Sequence, residues 1–369
     1  MAQADLSILQ LTVKRLKKNK AALFGLMVIV IAVLMSIFGY LIAPDNTENA
    51  NVQTVEIQAK KPGFKQLFLA IPLHSGAATK NLFNRFFTGT PAAFNYIPIV
   101  NYTISGDSLR MNKFIDDDTA ISLVYSINKL TGNKPASINQ YIITKKYYLG
   151  TDKFGRDILS RIIIGTRVSL AVGLIALLIS LTLGVTLGAI AGYYRGWADE
   201  IIMWLINVTW SIPTLLLAFA ITMALGKGFW QIFIAVGLTM WVSVARLIRG
   251  QVIAVKELEF VQAAKALGFS NFRIIAKHIL PNIIGPVLVL AAGNFATAII
   301  IEAGLSFLGI GVQPPQPSWG LMIKENYNFI ITHNPMLALI PGFAIMLLVL
   351  AFNLVGNGLR DAFDVKESI

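Results

Sequence analysis

Residues Glu257 to Pro281 read ELEFVQAAKALGFSNFRIIAKHILP, and the stretches on either side of them decide the fold. Upstream, Phe229 to Ala245 holds no charged residue, and downstream, Ile283 to Ile301 holds none either. A helix rises ~1.5 Å per residue, so about 20 apolar residues cross the hydrocarbon of a bilayer. The quoted stretch is therefore a polar loop between two membrane spans. Within it Phe260, Ala263, Ala264 and Leu267 recur at helical spacing and give one apolar stripe, kept narrow by the two alanines. Gly268 suits a helix stop, and Ser270 suits the N-cap of a second helix that ends at Leu280, before Pro281 opens the next span. Val255 to Pro281 thus reads as a helix–turn–helix elbow joined directly to a span.

Working outward, four more apolar runs appear: Ala21–Ala43, Val168–Ala191, Ile201–Leu225 and Met336–Val355. Six spans put both termini on one side. The tail before the first carries Lys14, Arg15, Lys17, Lys18 and Lys20, and the loop between the fourth and fifth spans carries Arg246, Arg249, Lys256, Lys265, Arg273 and Lys277. The positive-inside rule makes that shared side cytoplasmic. The run from Ala21 is longer than a signal-peptide core, so it reads as a retained span. Three regions follow: 1–44, a basic tail and first span; 45–150, an extracytoplasmic insert; and 151–369, a core with five spans. The insert shifts toward Asn, Lys, Thr and Ser, and alternation in Tyr102–Met111 and Ile138–Tyr148 predicts short strands in a small mixed α/β fold.

Composition agrees. The chain has 369 residues, of which 55% are hydrophobic and only 14% charged, against about 25% charged in soluble domains. The net charge of +12 flanks apolar runs, which fits membrane orientation and not a nucleic-acid face. With no Cys, disulfides and thiolate metal sites are excluded, and His74, His278 and His333 are too scattered for a metal site.

The amphipathic elbow alone leaves two readings open, a helix lying on the membrane surface or one docked in a partner's groove. The segment resembles the EAA motif of ABC importer permeases: E-A-A, three residues, G, nine residues, then I-x-L-P. Gln262, Ala263, Ala264, Gly268, Leu280 and Pro281 fall at matching positions, with Gln262 where the family has Glu and His278 where Ile is usual. Glu259, Phe260 and Leu267 belong to the same helix. LGTDKFGRDILSRIIIGTRVSL (Leu149–Leu170), EAGLSFLGIGVQPPQPSWG (Glu302–Gly320) and AFNLVGNGLRDAFD (Ala351–Asp364) extend the likeness to the C-type permeases of oligopeptide, dipeptide and nickel importers. The long 45–150 insert departs from them. The resemblance implies an all-α membrane protein of the type I importer fold, with six transmembrane helices. It also implies a sister permease, two cytoplasmic ATPase subunits that receive the elbow, an extracytoplasmic solute-binding protein, and residence in the inner membrane.

Uphill uptake needs ATP, yet Gly226–Lys227 is the lone Gly-Lys pair and lacks the rest of a P-loop. The chain is thus expected to be no enzyme and to hold no cofactor, ATP and Mg²⁺ being bound by the partners. Peptide is the substrate the resemblance implies, with nickel or another small solute as the alternative. A stand-alone channel or secondary transporter is a separate reading, opposed by the scarcity of charges within the spans. Glu302, Asn207, Asn294 and Asn353 are candidate pathway or gate residues. A helix-end carboxylate bonded to backbone accounts for Glu302 as well, and helix–helix hydrogen bonding for the asparagines. Trp230 and Trp319 read as interfacial anchors, Ser318 as the N-cap of a short helix through Phe329, and Asp116–Asp118 as a solvated turn.

Overall fold

The computed structural model describes residues 8–73, 82–128, 138–226, 228–331 and 334–363; Lys227, His74 and His333 lie outside them. In chain order the helices are α1 (Ile8–Leu16), α2 (Lys20–Ile42), α3 (Leu82–Thr88), α4 (Ile158–Tyr194), α5 (Gly196–Trp210) and α6 (Thr214–Leu225). They continue with α7 (Phe229–Lys256), α8 (Glu259–Ala266), α9 (Asn271–Ile274), α10 (Ile284–Leu308), α11 (Trp319–Asn326) and α12 (Met336–Phe363). Five strands, β1 (Phe64–Pro72), β2 (Phe94–Ser105), β3 (Ser108–Phe114), β4 (Ala120–Ser126) and β5 (Ile142–Tyr147), lie between α2 and α4.

Two compact units result, one within Met1–Val33, Ser169–Gln313 and Phe343–Ile369, the other within Leu34–Val168 and Pro314–Gly342. Among the described residues five helices are long and apolar enough to span, or six if α5 and α6 count as one. These two meet at 94°, so the expected span Ile201–Leu225 is not one straight helix. Pro213 is the cause: it lacks an N–H, and its ring disfavours helical geometry at Ile212. A hydropathy window does not register that break. The 37 residues of α4 give a rod of about 55 Å, well beyond the ~30 Å hydrocarbon and longer than the expected Val168–Ala191.

In the helical unit α4 lies against α7 through Gly184, Gly188 and Gly192, one every turn. A Cβ on Gly188 would stand 2.5 Å from the Ala245 carbonyl oxygen, and one on Gly184 2.4 Å from Val244. Small residues at i, i+4, i+8 let the two backbones meet, the packing that works where lipid is as apolar as Leu. By contrast α2 and α12 keep most of their apolar surface uncovered, as expected of helices facing lipid or a partner.

The other unit carries an antiparallel sheet in the order β4-β3-β2-β1-β5. Consecutive Phe68 and Leu69 of β1 serve opposite faces. Leu69 packs with Ile99, Leu109 and Met111, while Phe68 packs with Ile57, Phe114 and Tyr147. The alternating stretch Tyr102–Met111 is not one strand but a hairpin, turning at Gly106 and Asp107 between the paired Ser105 and Ser108. At the start of α4, Arg156 binds Asp152 at 2.6 Å and Glu325 at 2.5 Å, and fully buried Arg161 lies 3.7 and 3.6 Å from the same carboxylates. Trp319 is buried, its indole N–H donating to the Ile162 carbonyl at 3.1 Å, and is no interfacial anchor. Gly165 leaves room for that ring, which a Cβ would approach to 3.2 Å. Trp230 is 65% exposed. Ser318 caps α11 by accepting from the Leu321 N–H, and a 3₁₀ turn at Tyr327–Ile330 follows where one continuous helix was expected.

Candidate functional site

The elbow is built from the end of α7 to the start of α10. Helix α8 has only eight residues, with Glu259 in its first turn, where a carboxylate suits the positive helix end. It closes in a Schellman motif: the Gly268 N–H bonds Lys265 O at 3.0 Å and the Phe269 N–H bonds Ala264 O at 3.2 Å. Gly268 sits at φ +76°, a left-handed position that a side chain would strain. Ser270 occupies the N-cap of α9, but its hydroxyl makes no cap bond.

The expected second helix ending at Leu280 is instead a graded passage. After α9 comes a π turn at Ile275–Ile279, then a 3₁₀ turn at Leu280–Ile283, then α10. Pro281 has no N–H and crowds the preceding turn, so the ladder shifts register around it while the axis continues. Asn282 donates its side-chain amide to the His278 carbonyl at 2.6 Å, satisfying an acceptor near the disturbed ladder. The His278 ring stacks on Phe269.

The apolar stripe on α8 divides between two faces. Ala264 and Val261 are buried against Ile248, Val252, Ile274, Ile279 and Ile283 of the same chain, so Ala264 is not on the free face expected for it. Phe260, Ala263 and Leu267 point outward, joined by Phe272 of α9; Leu267 is 74% and Phe272 81% exposed. The 100° step of a helix explains the split, because Ala263 and Ala264 cannot both lie on one edge of so short a helix.

Polar contacts fix the base of the elbow. The Gln262 amide donates to the Lys256 carbonyl at 2.9 Å, holding α8 against the last turn of α7. The Lys256 ammonium donates to the Tyr193 carbonyl at 2.8 Å, and the Tyr193 hydroxyl to Asn271 Oδ1 at 2.8 Å. Two turns back along α7, Arg249 grips Asp199 of α5 with two bonds of 2.5 and 2.7 Å. Arg246 lies 3.6 Å over Trp210 and donates to Asn207 at 3.3 Å. Sequence reasoning missed Tyr193, Asp199 and Trp210, which lie far along the chain from their partners. The two arginines were visible only as cytoplasmic charge. These contacts join the elbow to α4, α7 and the start of α10, and α7 in turn to α5.

Two family models match the chain. One, the binding-protein-dependent transport system inner membrane component, covers residues 184–368 and contains the whole elbow. The other, the N-terminal TM domain of oligopeptide transport permease C, covers residues 7–62. The chain belongs to the binding-protein-dependent transport system inner membrane components. Curated relatives of this permease include a dipeptide transport system permease protein of Alkalihalophilus pseudofirmus. It is 47% identical over 221 residues, which are 60% of this chain and 72% of that one. A glutathione transport system permease protein of Pectobacterium atrosepticum is 43% identical over 220 residues, 60% of this chain and 73% of the other. Among solved structures, a chain of the inward-facing MetNI methionine ABC transporter aligns over 55% of this permease and 96% of its own length, with TM-score 0.46 and 17% identity.

The remaining candidates of the permease make contacts of their own. Glu302 is fully buried six residues before the end of α10, accepting from the Ser306 hydroxyl at 2.7 Å. Ser306 in turn accepts from the Val312 N–H at 3.0 Å, so the carboxylate reaches the backbone of the following turn through a serine. Asn294 is buried beside Ser243 of α7 at 3.5 Å, a helix–helix contact. Asn353 is exposed on α12, next to Phe352, which stacks on Phe295.

Proposed function

We propose that this permease is one half of the translocation pathway of an ATP-driven peptide importer with the type I fold. It pairs with a sister permease and two ATPase subunits, and a solute-binding protein delivers the peptide. Its six spans count α5 and α6 as one broken span, both termini are cytoplasmic, and the sheet unit stands on the outer side. The observation that carries the reading is the exposed ridge of Phe260, Ala263, Leu267 and Phe272, held on an elbow whose other face is packed. Such a ridge fits a groove in a partner, helix into groove. ATP-driven closure of the ATPases then moves α4, α5, α7 and α10 together. Glu259, Gln262, Gly268, Leu280 and Pro281 shape the elbow, and Ala264 anchors it from within. ATP and Mg²⁺ belong to the partners, and this chain catalyses nothing itself. Peptide as cargo follows from the dipeptide and glutathione permeases named above.

The test is reconstitution of the chain in proteoliposomes with a candidate sister permease, ATPase subunits and solute-binding protein. The reading predicts dipeptide uptake that requires enclosed ATP and the solute-binding protein. Uptake by this chain alone without ATP would contradict it, as would ATP-driven uptake of nickel but not peptide.

A further inference from the structure

Helix α7 runs past the loop boundary that charge suggested, so Arg246 stands inside it, ten residues before its end. At ~1.5 Å per residue Arg246 lies about 25 Å along α7 from Phe229, and the start of α6 about 18 Å from Leu225. In the topology proposed above both distances begin at the outer turn, so both places fall within the ~30 Å of hydrocarbon. Long side chains of a helix lean toward its N-terminus, which carries the guanidinium away from the cytoplasm to the last turn of α5. There Nη2 donates to Asn207 Oδ1 at 3.3 Å, and the guanidinium carbon stands 3.6 Å from the centre of the Trp210 ring.

Arg246 is the uncompensated one of two neighbouring arginines. Arg249, one turn on, is gripped by Asp199, whereas among the described residues Arg246 has no carboxylate within 4 Å. Its Nε is closed off and unbonded; Nη1 is not closed off and makes no hydrogen bond either. Asn207, Trp210 and Ser243, one turn before Arg246 on α7, are exposed on the surface of the chain. So is the backbone between α5 and α6, where α6 opens at Pro213 with no side-chain cap. A lone cation and irregular backbone at membrane depth are each costly against lipid and are tolerated where they line water or protein. Two separate features of one surface therefore turn it away from lipid. Facing the pathway between two permeases satisfies both, and a cation held there calls for an anion.

We propose that this surface lines the translocation pathway and that Arg246 receives the C-terminal carboxylate of the passing peptide through Nη1. Asn207 and Trp210 hold the guanidinium in place for it. A charge-assisted bond to the terminal carboxylate reads no side chain, which suits cargo of varied sequence. The inference deepens the peptide-importer reading and rests on it.

Uptake by the reconstituted importer with enclosed ATP tests it, with dialanine and dialanine amide as the probes. Arg246→Gln should lower dialanine uptake on the order of tenfold, and uptake of the amide, which has no carboxylate, far less. The solute-binding protein is the same throughout, so its own preference cancels from the variant-to-parent ratio for each probe. Asn207→Asp sets a carboxylate against the guanidinium and should lower dialanine uptake more than Asn207→Ala does; a merely structural bond predicts the reverse order. That second pair decides alone where Arg246→Gln fails to assemble or the parent does not carry the amide. Equal losses on both probes, unaltered dialanine uptake in Arg246→Gln, or a larger loss in Asn207→Ala than in Asn207→Asp would each overturn the proposal and leave the importer reading standing. No ATP-driven dialanine uptake by the parent would overturn both.

Discussion

The side-chain amide of Gln262 donates a 2.9 Å hydrogen bond to the backbone carbonyl of Lys256, across the turn that joins α7 to α8. An ionised Glu, the residue found at this position in the motif the elbow resembles, has no N–H to give and would face the negative end of α7. Gln262→Glu should therefore loosen the base of the elbow. The bond lies at the surface, so the loss is about 0.5–1.5 kcal/mol. Faster amide exchange across residues 257–268, with little change elsewhere, is the expected readout; unchanged exchange would show that the bond does not hold the turn.

The two faces of α8 should respond in opposite ways. Ala264→Leu inserts bulk among Ile248, Val252 and Ile274 and should destabilise the chain by about 1–3 kcal/mol. Leu267→Ser changes an exposed position and should leave the melting temperature of the isolated chain unaltered while weakening copurification of the ATPase subunits. Thermal unfolding and copurification on the same samples separate the two.

Gly268→Ala should cost about 1–2 kcal/mol, because the φ of +76° is left-handed although a Cβ would meet nothing within 4 Å. Gly188→Leu fails for the other reason. Its backbone is ordinary helix, but a Cβ would press on the Ala245 carbonyl oxygen at 2.5 Å. Gly188→Leu should abolish accumulation in the membrane, whereas Gly188→Ala should only reduce it; immunoblots of membrane fractions read both.

Within the sheet unit, stability should depend on pH through Lys145. Its folded value of about 8 lies below the ordinary 10.5, so the unfolded chain binds more protons between the two and stability rises with pH there. Tyr147, raised by burial, opposes the gain once unfolded tyrosine begins to ionise near 10. The rise should therefore show between about pH 8 and 10. Lys145→Met should raise the melting temperature at pH 7 and flatten that rise; a profile unchanged by the substitution would mean that the ammonium is well solvated.

Most of the membrane architecture was legible because hydropathy is additive along the chain: α2, α7, α10 and α12 stand within a turn or two of the uncharged runs at one end at least. The start of α4 was not, since Arg161 and Arg167 break the apolar run while Asp152 and Glu325, too remote in sequence to pair by inspection, neutralise Arg161 in space. The kink at Pro213 was hidden because proline is tolerated in membrane helices, so its presence does not announce a bend. At the elbow, Gly268 marked the turn. Which face of α8 is free depends on Ile274 and Ile279, whose return against α8 is a tertiary fact.

The central claim is that the ridge around Leu267 docks on ATPase subunits, and the absence of cysteine from the chain makes it directly measurable. Leu267→Cys and Ala264→Cys, made singly, are exposed to a membrane-impermeant thiol reagent in inside-out vesicles, with and without the ATPase subunits. The account predicts rapid labelling of the first variant when the permease is alone, strong protection when the ATPases are present, and slow labelling of the second in both cases. Equal labelling of Leu267→Cys with and without ATPases that demonstrably copurify would contradict it.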